Sequence, residues 1–192
     1  MKRALIGGLA GSLAWVLAGS CAALGQPQAP VGKPDVKTVE DWMVRCYPVQ
    51  SVSPCDIFQE QDSQRGQRVM SISLAFVPSL NRHIIQVTVP LDVSIPKGLT
   101  MQSDTYTSPT LRYRMCTRDG CFVQTAVDNG MIEALARSSG AGKVNIFADN
   151  GKSYALTFSL KGFAAAHDDM VTEAKAKAKA PSQDSAAAPA KQ

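Results

Sequence analysis

The chain is 192 residues long, 45% hydrophobic, 19% charged and 6% aromatic, with 20 basic and 16 acidic side chains and a formal charge of +4. Glycine and proline are near average and apolar residues are plentiful, which excludes a collagen, a coiled coil and a wholly disordered chain and leaves room for one domain with extensions. With Lys2 and Arg3 in a removable leader the excess falls to 18 basic against 16 acidic groups, too small to drive phosphate neutralisation, so nucleic acid is not an expected partner.

Residues 1–25 read as a secretory signal peptide: two basic residues, an apolar stretch from Ala4 to Ala18, then small residues up to Gly25. The apolar stretch is about 15 residues, short of the roughly 20 that a membrane-crossing helix needs. Cleavage after Gly25 removes Cys21. A second reading takes Leu17-Ala18-Gly19-Ser20-Cys21 as a loose lipobox, with the leucine one place too early, and would make a lipidated Cys21 the membrane anchor. Residues 26–38 contain Pro27, Pro30 and Pro34 and read as a flexible leader to the domain.

From Val39 the chain repeats short β-type runs: Trp42 to Cys46, Cys55 to Gln61, Arg68 to Val77, His83 to Val89, Thr110 to Met115, Cys121 to Ala126, Lys143 to Ala148 and Tyr154 to Leu160. Alternation is clearest from Ile84 to Val89 and from Tyr154 to Leu160, as half-buried antiparallel strands require. Arg65-Gly66, Pro96-Lys97-Gly98, Asp119-Gly120 and Asn150-Gly151 supply turns between them. One segment differs. Asp128-Asn129 can cap a helix whose face carries Met131, Ile132 and Leu135 and which ends before Gly140. The expectation is an all-β domain over residues 39–163: an antiparallel two-sheet sandwich of about eight strands with one short helix, flanked by flexible termini. Residues 164–192 are rich in Ala and Lys and contain Pro181 and Pro189. An isolated helix there is marginal, so a largely disordered tail is expected.

Cys46, Cys55, Cys116 and Cys121 remain once the leader is removed. An even set in an exported chain reads as two disulfides, with three connectivities open. The sequential pairing, Cys46 with Cys55 and Cys116 with Cys121, is favoured because turn-forming residues lie between the members of each pair. C-x8-C and C-x4-C do not form the paired knuckles of a zinc site, and neither pair is the C-x-x-C of a redox centre. No metal or cofactor is expected.

Only two histidines occur, His83 and His167, with His167 in the expected tail. A nucleophile, base and orienter set lacks raw material, so no catalytic residues are assigned. What remains is recognition. Strand alternation places Arg112 and Arg114 on one face, with Arg118 in the adjoining disulfide-clipped turn, a basic patch suited to an anionic glycan, lipid head group or acidic protein surface. The reading is therefore a non-enzymatic, periplasmic or surface-exposed binding protein whose partner is a protein or an anionic envelope or host-surface component. Any membrane association runs through that partner or through Cys21. The competing reading is a non-catalytic accessory subunit or assembly factor of a periplasmic or membrane-bound enzyme complex.

Four ordered motifs carry a resemblance. Trp42-Met43-Val44-Arg45-Cys46 resembles the W-x-V-x-C opening of the invasion-associated locus B proteins, Val89 to Leu99 their V-P-L-G-V-x-x-P-x-G-L segment, Cys116 to Cys121 their C-x-x-x-G-C, and Ser159 to Phe163 their S-x-x-G-F. Asp92 stands where that family usually has glycine, and the Ala/Lys tail has no counterpart. The resemblance implies a small exported β-sandwich of a Gram-negative bacterium, in a family with some members linked to host-cell entry and no established catalytic residues.

Overall fold

The computed structural model describes residues 32–48 and 51–179; the signal peptide, Cys21, residues 26–31 of the leader and 180–192 of the tail lie outside them. The strands are β1 (Asp35–Val39), β2 (Trp42–Cys46), β3 (Cys55–Asp62), β4 (Arg68–Val77), β5 (Arg82–Val89), β6 (Leu99–Gln102), β7 (Tyr113–Thr117), β8 (Gly120–Val127), β9 (Ala141–Phe147) and β10 (Ser153–Ser159). There are two α-helices among the described residues, α1 (Asn129–Arg137) and α2 (Phe163–Lys179), and two short 3-10 turns, Pro78–Leu80 and Ile95–Lys97. The strands form two antiparallel sheets, one ordered β1-β2-β3-β4-β5-β8-β7 and the other β10-β9-β6.

Period-two alternation decides which face is which. On β5, Ile85, Val87 and Val89 are buried and meet Leu74, Ile72 and the inner residues of β8 in register. The inner face is continued by Trp42, Val44 and Ile57, and α1 adds Met131, Ile132 and Leu135 to the same cluster. Asp128 caps α1 by accepting the Met131 N–H at 2.8 Å, as its position one residue before the first helical turn predicts. The outer face of the large sheet carries half-buried or exposed Met43, Arg45, Phe58, Ile84, Gln86 and Gln124.

Glycine is required where the small sheet packs most tightly. Gly142 of β9 pairs with Phe158 of β10, and a Cβ there would lie 2.3 Å from the ring. The missing side chain is the space the aromatic fills. Gly162, at φ +81°, turns the chain from β10 into α2 against the backbone of Val39, a conformation an L side chain resists.

The antiparallel two-sheet, all-β domain stands as expected, and four details are corrected. Among the described residues there are ten strands and two α-helices, where about eight and one were expected. β1 lies almost wholly within the leader: its side chains are mostly exposed and polar, so it has no alternation to read, and its order comes from pairing with β2. β6 is four residues long and paired through β9. The third difference is the start of β7 at Tyr113, not Thr110.

The tail is the fourth. Residues 163–179 are a helix laid along the large sheet, not a disordered segment, with Ala166, Met170 and Ala174 fully buried in the core. Phe163 meets Trp42 edge to face at 5.3 Å between ring centroids. Packing of that stripe supplies what helix propensity alone does not.

Candidate functional site

The hairpin of β7 and β8 turns at Asp119-Gly120. The Asp119 N–H bonds the Thr117 hydroxyl at 3.2 Å, and Gly120 has φ +132° with the Val89 carbonyl where a Cβ would be. Cys116 and Cys121 face each other across the strand pair, 3.9 Å apart at Cα, and are disulfide-bonded. Cys46 and Cys55 are likewise opposed, across β2 and β3, and bonded. The first disulfide is buried in the core; in the second, Cys121 is buried while Cys116 lies in an exposed stretch of β7.

Arg112, Arg114 and Arg118 are all exposed, and among the described residues none enters an ion pair. They do not form one regular row. Tyr113 pairs with Val123, whereas Met115 pairs with Phe122, so β7 holds an extra residue against β8 at Arg114. Such a bulge re-aims side chains. Tyr113 points inward, where burial pushes its phenol up to about 12 and its hydroxyl has no partner among the described residues. Met115, two residues on, is 55% exposed.

Arg114 donates to Gln124 Oε1, and Gln124 Nε2 reaches Gln86 Oε1 at 3.4 Å, so this arginine is tied to a polar ladder across β8 and β5. Arg112 precedes β7, and Arg118 occupies the hairpin turn. A fourth arginine joins them unannounced by sequence: Arg68, at the start of β4, donates to the Asp119 carbonyl at 3.3 Å. Only the strand order β4-β5-β8-β7 brings it to that turn.

At the opposite side of the same sheet, the Asp56 carboxylate is nearly buried, bonded to the Arg45 guanidinium and to the Ser73 hydroxyl. Arg45 stacks 3.8 Å over the Phe58 ring. With both partners satisfied, this is a fixed ion pair and not a free basic group. Trp42 is fully buried and donates to the Ser159 carbonyl at 3.1 Å, a core anchor and not a ligand platform.

Docking of α2 also changes the reading of the histidines. His167 belongs to a folded helix, and its Nε2 lies 2.9 Å from Nε2 of His83, a bond in which one ring donates and the other accepts. His83 is lowered to about 4, by burial first and then by His167 and Lys175. The pair lies between Phe76 of β4 and Phe163 of α2. Among the described residues neither ring is hydrogen-bonded to a serine or a cysteine. Among the described residues no three His, Cys, Asp or Glu converge as metal ligands, and no helix is long and apolar enough to cross a membrane.

Residues 42–171 match the model of a family described as "Invasion associated locus B (IalB) protein". The chain is also similar to two invasion protein B homologs of Brucella abortus, from strain 2308 and from biovar 1 strain 9-941. Each is 29% identical over 133 residues, which make up 69% of this chain and 76% of the relative. Among solved structures it is similar to the invasion associated protein B of Bartonella henselae, with a TM-score of 0.64 and 20% identity, covering 72% of this chain and 97% of that one.

Proposed function

Because the chain belongs to the invasion associated locus B family, we propose that it is an exported binding protein which engages an anionic component of a cell surface through the arginine-bearing edge at β7 and the β7–β8 turn. The observation that carries this reading is the placement of Arg112, Arg114 and Arg118: exposed, outside any ion pair among the described residues, and mounted on a disulfide-clipped hairpin. A guanidinium held on a stiff strand loses less freedom on binding than one on a loop, and its planar fork suits carboxylate, sulfate and phosphate oxygens. Two disulfides favour an oxidising compartment such as the periplasm or the cell exterior. The relatives' names refer to invasion, which favours a host-cell surface as the setting. Binding accounts for this edge better than catalysis does, since among the described residues the hydroxyl at this hairpin turn, that of Thr117, is bonded to the Asp119 N–H and has no histidine beside it.

The test is charge reversal. Arg112→Glu, Arg114→Glu and Arg118→Glu together leave the melting curve near that of the parent, because all three side chains lie on the surface. The same variant loses about tenfold or more in retention on heparin and on vesicles containing anionic phospholipid. Retention equal to the parent's on both supports would remove the arginines from the function. Stoichiometric recovery of the parent chain with an enzyme complex from its own envelope would replace this reading with the accessory-subunit one.

A further inference from the structure

β10 closes one side of the small sheet, where among the described residues its only strand neighbour is β9. In an antiparallel pair, residues alternate between exchanging both backbone bonds with the facing residue and turning both groups away. The Leu160 N–H bonds the Gly140 carbonyl at one end of β10, and the Ala148 N–H bonds the Lys152 carbonyl at the other. Ser153, Ala155, Thr157 and Ser159 therefore turn their N–H and C=O groups away from β9.

At Ser159 these groups are occupied. Its N–H donates to Gln59 Oε1 at 2.8 Å, and its carbonyl accepts from Gln59 Nε2 at 3.3 Å. The Gln59 carboxamide sits where the peptide group of a neighbouring strand would sit. At Ser153, Ala155 and Thr157 the outward groups bond nothing among the described residues, and all three residues are exposed.

The remaining edges are blocked. β1 carries Asp35 and Lys37, the latter paired with Asp169 of α2. β7 has the bulge at Arg114 and a disulfide. β6 is bridged on its free side by Leu111 and Thr107. Charges, bulges and covering segments are the devices by which sheets prevent unwanted pairing. β10 has no charge, proline or bulge in its seven residues.

A cleft of about 460 Å³ borders this edge between Thr157 and Ser159 on one side and Asp41, Gln59 and Glu60 on the other. Two carboxylates and no cation line it; Asp41 accepts from the Ser159 hydroxyl and Glu60 lies 3.6 Å from Arg68, and both side chains keep oxygens for a further donor. On the core-facing side of the strand, Tyr154 is 47% exposed and Leu156 half-buried, an apolar rim for alternate side chains of an added strand.

We infer that the open edge of β10 is a second binding site, which takes an extended polypeptide segment bearing basic and apolar side chains in alternation as a fourth strand of the small sheet. Main-chain bonds at Ser153, Ala155 and Thr157 provide affinity, and the cleft carboxylates select basic side chains. A second copy of the chain fits less well, because antiparallel β10 pairing brings the Lys152 end of each strand to the Lys161 end of the other. The site is separate from the arginine edge and does not rest on it.

The test uses the full chain with its disulfides intact and the acetylated, amidated peptide Lys-Val-Lys-Val-Lys-Val-Lys, with the glutamate counterpart Glu-Val-Glu-Val-Glu-Val-Glu as comparison. Amide exchange and chemical shifts are followed by NMR. The lysine peptide is expected to slow exchange at Ala155 and Thr157, and the glutamate peptide to bind about tenfold more weakly. Ala155→Pro removes an outward N–H without touching the β9 ladder, and should weaken the lysine peptide about tenfold. Thr157→Lys, a surface change that leaves the backbone as it is, should weaken it similarly should the proline variant fold poorly. Charge reversal at Arg112, Arg114 and Arg118 should leave it unchanged. No protection at Ala155 and Thr157, equal binding of the two peptides, or protection that rises with protein concentration in the absence of peptide would each overturn the proposal.

Discussion

His83 and His167 show how one contact couples protonation to the fold. In the folded state His83 titrates near 4, below its ordinary value of 6.5, so the folded protein favours the neutral ring. The groups facing it are Phe76 from β4, and His167 and Lys175 from α2, with Asp168 bonded to the far nitrogen of His167. The contribution is fully present above pH 6.5 and is lost as pH falls toward 4, where the unfolded chain takes up a proton that the folded one refuses. The loss amounts to about 2 to 3 kcal/mol. Urea denaturation between pH 7.5 and 4.5 should therefore show a steeper decline for the parent than for His83→Phe, which keeps the ring packing and cannot charge. Equal declines would assign the acid sensitivity to the carboxylates. None of this was visible in the sequence, where the two histidines stand 84 positions apart and the second was placed in a tail.

At the scale of elements, α2 is the segment whose order depends most on its neighbours. Its buried stripe of Ala166, Met170 and Ala174 consists of two alanines and one large side chain, too faint an apolar signal to stand out from an Ala/Lys run. Substitution along the helix should reveal the docking. Met170→Ala should cost about 2 to 4 kcal/mol in urea denaturation, and exposed Glu173→Ala within about 0.5 kcal/mol of nothing. Equal, negligible costs at both positions would mean that the helix is not docked.

Strands that bury one face through a whole ladder, such as β4 and β5, announced themselves by alternation. β1 and β6 did not, because one is a mostly exposed edge and the other is four residues long. The candidate edge was legible to a similar depth. Arg112, Arg114 and Arg118 follow from local strand pattern, whereas the bulge at Arg114, the approach of Arg68 and the capping of β10 by Gln59 depend on which strands become neighbours. Periodicity reports a residue's own face and carries no record of the strand beside it.

For the whole molecule, the two disulfides have different tasks although both join facing residues of adjacent strands. Chain entropy assigns each about 2 to 3 kcal/mol, since both close short loops. Cys46 and Cys55 are also part of the buried cluster beneath α2, so replacing both with alanine adds lost packing and should cost about 4 kcal/mol or more. Cys121 is buried in the same cluster but Cys116 is exposed, so the Cys116→Ala/Cys121→Ala variant loses packing at one member only and should cost about 2 to 3 kcal/mol. Its principal effect should fall on binding, because the arginine hairpin then samples more conformations and must be ordered when a partner docks. Urea midpoints and anionic-vesicle retention, measured on both double variants, separate the two tasks. The expected pattern is the larger stability loss with residual binding per folded molecule for the first pair, and the smaller stability loss with clearly weakened retention for the second. Unchanged retention in the second variant would show that the hairpin is held by its β8 ladder alone and that its disulfide has no part in recognition.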